Sequence, residues 1–293
     1  MIQEAQRKGA KGVFGFAGQS GTGKTFSALM FAYGLAGCVG KRMGFLDTEN
    51  RRGSLYADIL PDGDRFMALD MTAPFHPRKY VEAIAEFEKA GIDTLVIDSI
   101  SHEWEGQGGC SDIALYGDYT DAQFSDGTWC AKEAKRAQWQ VAKRENQKFV
   151  NALLQSKMNI VVCLRAKEKS KVEQDGGVSS LGIQPICEKN FSFEATTLLL
   201  MQDEGSSQKV LRCPSALRPY LGRADDYITV QDGLAVREWL QGGTPMTALD
   251  RLRAQLLTSA GEAREALWKS LTKDQKKTLT DDGTVARLKG ETV

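Results

Sequence analysis

No stretch of this chain approaches the length of a membrane span, and its start, Met1-Ile2-Gln3-Glu4-Ala5-Gln6-Arg7-Lys8, has no signal-peptide core. A soluble protein of the cytoplasm is the expectation. The six cysteines (Cys38, Cys110, Cys130, Cys163, Cys187, Cys213) are widely spaced and never form a C-x-x-C pair. Buried free thiols in a reducing compartment therefore fit better than disulfides or zinc ligands. Histidine is scarce, with two residues, so His102 has too few neighbouring ligands to make a strong metal candidate. Lys and Arg total 38 against 38 Asp and Glu, so no global field draws the chain to nucleic acid. Any such binding needs a local patch.

What the chain does have is Gly18-Gln19-Ser20-Gly21-Thr22-Gly23-Lys24-Thr25, a complete G-x-x-x-x-G-K-[ST] loop. Its glycines let backbone N–H groups close around a polyphosphate, and Lys24 can neutralise charge near the β and γ phosphates. Thr25 offers a hydroxyl to Mg²⁺, and the helix that starts there points its positive end at the ligand. Phe26 directly follows and is grouped with the nucleotide-binding residues. The apolar run Val13–Ala17 before the loop suits a buried strand, and Phe26–Leu35 after it suits a helix packed on a sheet. Strand, loop, helix is the context the motif requires. ATP and Mg²⁺ are the expected ligands.

Further strands are expected at 42–46, 65–69, 94–97 and 159–164, with helices from Pro77 and over about 130–157. Apolar strands alternating with helices indicate a mostly parallel α/β sheet covered on both faces. Residues 101–129 read as irregular, and 166–185 as a mobile loop. Two late hairpins are expected, one from Thr196–Met201 and Lys209–Cys213, the other turning at Asp232-Gly233. Gly242-Gly243-Thr244-Pro245 reads as a linker, separating a core over 1–241 from a small helical region over 242–293.

Hydrolysis needs a carboxylate to position the metal and a group to activate water. Asp98 closes an apolar strand, the position of a Walker B acid; a turn or helix-cap Asp is the alternative. Glu49 lies just past the strand after the first helix and is the leading candidate base, with a surface acid as the alternative.

Gly44-Phe45-Leu46-Asp47-Thr48-Glu49 followed by Leu55-Tyr56-Ala57 resembles the RecA core, and Leu95-Val96-Ile97-Asp98-Ser99 resembles its Walker B segment. Asp98–Gly106 with Gly108-Gly109, and Leu164-Arg165-Ala166-Lys167, resemble phage and prophage AAA-family nucleotide-binding ATPases, including the group associated with single-strand annealing recombination. The resemblance implies a RecA-like P-loop ATPase with late β-hairpins. It further implies a homo-oligomer, filament or ring, with nucleotide at the subunit interfaces, in a bacterial host cell. Where RecA has a γ-phosphate-sensing glutamine, the nearest residue here is Arg165, the expected sensor. Arg212 or Arg218 would act as a finger in a neighbouring site. Glu103 is a rival to Glu49 as base, and His102 is expected to have a site role or to sit at a capped helix start.

The resemblance also implies contact with single-stranded DNA through 101–129 and 166–185. The first stretch is acidic and poor for phosphate; the second carries Lys167, Lys169 and Lys171. The basic residues Lys132, Lys135, Arg136, Lys143, Arg144 and Lys148 read mainly as a solvated helix face. The leading expectation is a phage recombination ATPase acting on single-stranded DNA. The other is a nucleotide-gated module that loads or regulates phage recombination, replication or packaging partners.

Overall fold

The computed structural model describes residues 9–129, 138–172, 178–223 and 225–242, then 249, 252, 253, 256, 261–281 and 285. Cys130, Lys132, Lys135, Arg136 and most of the 242–245 linker lie outside them. The chain divides into two compact units, Met1–Gly243 and Thr244–Val293.

The larger unit is built on one eight-stranded sheet. Its strands are β1 (Val13–Gly18), β2 (Met43–Asp47), β3 (Met67–Asp70), β4 (Thr94–Asp98), β5 (Asn159–Val172), β6 (Val178–Pro185), β7 (Thr197–Gln202) and β8 (Ser207–Arg212). They lie in the order β3-β2-β4-β5-β1-β7-β8, with β6 paired to the far half of β5. The pairs from β3 through β7 are parallel, and β8 returns antiparallel. Runs such as Thr94-Leu95-Val96-Ile97 are apolar on both faces because helices cover both. Below lie α2 (Pro77–Lys89) and α6 (Trp139–Gln155), whose Tyr80, Ile84, Phe87, Phe149 and Leu153 pack against Leu95, Ile97, Ile160, Val162 and Leu198. Opposite them, Phe31 of α1 (Lys24–Leu35) packs on Phe14 and Phe16, with ring centroids 5.1 and 5.6 Å away. On α6 the buried positions are Ala142, Glu145, Asn146, Phe149, Val150 and Leu153, and Lys143, Arg144 and Lys148 face outward, as a solvated face should.

Three sequence expectations need correction. The Asp232-Gly233 segment is not a hairpin but part of a helix, Val230–Leu240. Thr229 and Asp232 form a capping box at its start, and Arg223 binds the same Asp232 carboxylate at 2.6 and 3.0 Å. Gly233 serves close approach instead of a turn: a Cβ there would meet Phe31 O at 2.1 Å, and one on Gly34 would meet Val230 O at 2.0 Å. Residues 166–172 and 178–185 pair as the two antiparallel strands of the β5–β6 hairpin, and 173–177 lie outside the described residues. The polar sequence hides it because only Ala166 and Ile183 of its two strands pack on the main core.

Residues 101–129 fold into three short helices, α3 (Ser101–Glu105), α4 (Cys110–Tyr116) and α5 (Asp121–Ser125), around a small core completed by Ala142 and Val141 of α6. Trp129 is its centre, buried among Tyr116, Tyr119 and Phe124, with Nε1 donating to Gly117 O at 2.8 Å. The acids of the stretch have partners within the fold. Asp112 accepts from Gly108 N, Asp118 pairs with His76, Asp121 with Arg78, and Asp126 accepts from Thr128.

In the smaller unit, helices Gly261–Ser270 and Lys273–Asp281 share a cluster of Leu256, Leu271 and Leu279. Among the described residues no helix is long and apolar enough to cross a membrane.

Candidate functional site

The parallel register lines the site up. Asp47 pairs with Asp98, Asp98 with Cys163, and Gly18 with Arg165, so β1, β2, β4 and β5 deliver these residues to one end of the sheet. The cleft above that end, about 380 Å³, is lined by the phosphate loop, Asp47, Glu49, Asp98 and Arg165, with Phe45, Arg52 and Tyr56 among the rest. Gly18, Gln19, Ser20, Gly21, Lys24 and Thr25 reach it; Thr22, Gly23 and Phe26 do not. Thr22 instead ties the loop through Oγ1 to Gln19 O at 2.9 Å. Gly23, at φ +76°, lies where a Cβ would meet Glu204 O at 2.5 Å, so the β7–β8 turn rests on the loop. Lys24 Nζ donates to Gln19 O at 2.7 Å from the first turn of α1.

Thr25 Oγ1 donates to Asp98 Oδ2 at 2.5 Å. Burial pushes the Asp98 carboxyl up to about 6, against the Thr25 hydrogen bond, with Glu49 adding to the rise and Lys24 opposing it. A hydroxyl and a carboxylate side by side, both hard oxygen donors at the mouth of a phosphate loop, fit Mg²⁺. Among the described residues no group of three His, Cys, Asp or Glu forms a separate metal cluster.

Glu49 faces the loop from across the cleft. Asp47 sets its backbone, accepting from Glu49 N and Gly53 N at 2.6 Å each. Arg165 grips its carboxylate, Nε to Oε1 at 2.9 Å and Nη2 to Oε2 at 2.7 Å. Burial alone would raise the Glu49 pKa, but the Arg165 bonds and charge, with His102 and Arg52, outweigh it and hold the carboxyl below its ordinary range. The Arg165 backbone is fixed on both sides. Its N–H donates to Ser101 Oγ at 2.8 Å, and its carbonyl accepts from Ile186 N at 2.7 Å.

Glu103 is not positioned as a base. It is buried between α3, α4 and α6, accepting from Cys110 Sγ at 3.1 Å and from Asn146 Nδ2 at 3.3 and 3.2 Å. Its short distance in sequence from Asp98 misleads, because the helical turn of α3 aims it away from the cleft. Arg212 pairs with Leu198, and Leu198 with Gly15. It thus stands three residues short of Gly18, roughly 10 Å down the strands, and two strands over. Arg218 follows it beyond β8. Neither lines the cleft of its own chain. Phe45 and Tyr56, which belong to the segments that carry the resemblance, also line the cleft, as does Arg52, which no sequence signal marks. The spacing from Glu49 to Tyr56, inside the segment that carries the resemblance, was the available signal for the aromatic wall.

No curated protein matches the sequence. Among solved structures, the crystal structure of a KaiC-like protein from the hyperthermophilic archaeon Pyrococcus horikoshii OT3 has 17% identity and a TM-score of 0.37, over 71% of this chain and 81% of that one. A family described as AAA domain matches residues 11–199, well over half the chain and spanning β1 through β7. This chain belongs to that AAA domain family, as a P-loop ATPase with an α/β fold.

Proposed function

We propose that the protein binds ATP with Mg²⁺ and hydrolyses it to ADP and phosphate, using the energy in phage recombination on single-stranded DNA. One observation carries the hydrolytic part: Lys24, Thr25, Asp98, Glu49 and Arg165 line one cleft. Lys24 and the loop backbone would hold the phosphates, and Thr25 and Asp98 the Mg²⁺. Mg²⁺ supplies charge neutralisation across the terminal phosphates. Glu49 orients and deprotonates the attacking water, and Arg165 stabilises charge at the γ-phosphate. Tyr56 offers a ring on which a base can stack. In a homo-oligomer, Arg212 or Arg218 would serve a neighbour's cleft.

Support for DNA comes from β5, which runs without a break from Arg165 into Lys167, Lys169 and Lys171 of the β5–β6 hairpin. The second reading, a nucleotide-gated module for a protein partner, is favoured by Phe193. It is 69% exposed beside a cleft of about 380 Å³ lined by α6 and by Glu188, Asn190, Phe191 and Glu194.

The test combines Mg²⁺-dependent ATP turnover with salt-dependent binding of single-stranded DNA, with and without a non-hydrolysable analogue. Turnover lost in Lys24→Ala, with DNA binding that needs nucleotide, supports the recombination reading. Turnover without DNA binding at low salt supports the partner module. No turnover in the unmodified protein rejects both hydrolytic readings.

A further inference from the structure

His102 stands against Glu49, and the bonds around it fix what its ring can do. The side chain leaves α3 toward β2 and stacks on Phe75, centroids 4.8 Å apart and planes 21° apart. Its Nδ1 lies 2.8 Å from Thr48 Oγ1. The same hydroxyl oxygen lies 2.7 Å from the N–H of Ser99 and 3.2 Å from the Ser99 carbonyl. A threonine hydroxyl has one proton and two lone pairs. Ser99 N must donate to it and Ser99 O must accept from it. All three contacts are therefore hydrogen bonds only if Nδ1 carries a proton and donates to Thr48.

This network assigns the tautomer and leaves the Nε2 lone pair outward. Nε2 faces Glu49 Oε1 at 4.0 Å. The other charged groups facing the ring are Asp47 beyond Thr48 and Arg165 on β5; Arg52 stands behind Glu49.

We propose that His102 is the positioning residue of Glu49, receiving at Nε2 the proton that Glu49 takes from the attacking water. The inference rests on the hydrolytic reading given above. The water O–H bond breaks and its proton goes to Glu49, while its oxygen bonds to the γ-phosphorus. The bond from that phosphorus to the bridging oxygen breaks, and the electron pair leaves with ADP. The proton then passes from Glu49 to Nε2 through one water spanning the 4.0 Å gap, forming an imidazolium that still donates from Nδ1 to Thr48, and is finally released to solvent.

Burial, then Arg165, lower the imidazole from its ordinary value of 6.5, while Glu49 and Asp47 raise it. The net lowering leaves the ring neutral near pH 7. Glu49 is itself held below the ordinary carboxylate value of 4.5, chiefly by the Arg165 hydrogen bonds and charge acting against its burial.

The test uses the full chain, whose only histidines are His76 and His102, so imidazole NMR signals can be separated by substituting either one. Glu49→Gln should move the His102 titration to lower pH and leave His76 in place. In steady-state turnover, His102→Gln should lower kcat about ten-fold at pH 8 with KM nearly unchanged. It should also abolish an acid-side inflection below pH 6.5 in the unmodified protein. Thr48→Val should weaken that inflection without removing nucleotide binding. A His102 titration indifferent to Glu49→Gln overturns the proposal, as does His102→Gln with unaltered kcat and inflection. Absence of turnover in the unmodified protein rejects the hydrolytic reading instead, and the NMR titration still decides the Glu49–His102 coupling.

Discussion

Arg165 on β5 donates two parallel hydrogen bonds to Glu49 beyond β2, at 2.9 and 2.7 Å, across 116 residues of sequence. β4 separates their strands in the sheet, so the pair bridges the top of the strand that ends in Asp98. A planar guanidinium matches both carboxylate oxygens at once, which an ammonium cannot do. Arg165→Ala should therefore cost about 10²-fold or more in kcat, and Arg165→Lys should recover only a small part. Steady-state ATP turnover checks this; equal rates for lysine and arginine would discount the two-pronged contact.

Asp98→Asn should leave nucleotide binding in chelator largely intact while removing most of the gain that Mg²⁺ gives. Thr25 Oγ1 would still meet an amide oxygen at this buried position, so the fold has no reason to fail. Titration of a fluorescent ATP analogue, with and without Mg²⁺, reads the difference. A full Mg²⁺ gain in the variant would exclude Asp98 from the metal site.

Gly34 and Gly233 bring the α1 helix and the Val230–Leu240 helix into backbone contact, where an added Cβ would lie 2.0 or 2.1 Å from a carbonyl oxygen. Gly34→Ala and Gly233→Ala should each destabilise by about 1–3 kcal/mol or more, since backbone on both sides must part. Thermal unfolding measures it. Because α1 carries the phosphate loop at its start, nucleotide affinity should fall with stability.

Glu103 gives a pH signature. Burial pushes its carboxyl from 4.5 to about 7, against the bonds from Cys110 and Asn146. Between those values the folded chain holds a proton that the unfolded chain has released, so this group's contribution falls as pH rises through the window. Glu103→Gln should stabilise the protein above pH 7 by on the order of 1–3 kcal/mol, seen as a higher melting temperature, and lose that advantage at pH 5. Parallel melting curves for the two proteins from pH 5 to 8 would contradict it.

Much of the core could be read from sequence because its signals are local. The phosphate loop is contiguous, and Asp98 and Glu49 stand where apolar runs end. What escaped reading depends on contacts between distant segments. Trp129 and Tyr119 gather α4 and α5 only because His76 and Arg78, at the start of α2, bind Asp118 and Asp121. Asp232-Gly233 has the composition of a turn, yet Thr229 three residues before Asp232 caps a helix. The β5–β6 hairpin carries too little apolar alternation to announce itself. Glu103 looked like a site residue by proximity in sequence, and one turn of α3 sends it elsewhere.

β5 is the central strand of the ATPase sheet for its first half and one arm of a projecting hairpin for its second, with Arg165 at the change. The Arg165 backbone is clasped by Ser101 on one side and Ile186 on the other. The outer arm and the guanidinium that holds Glu49 thus share one continuous strand, so the hairpin and the chemistry within are neighbours along a single run of backbone.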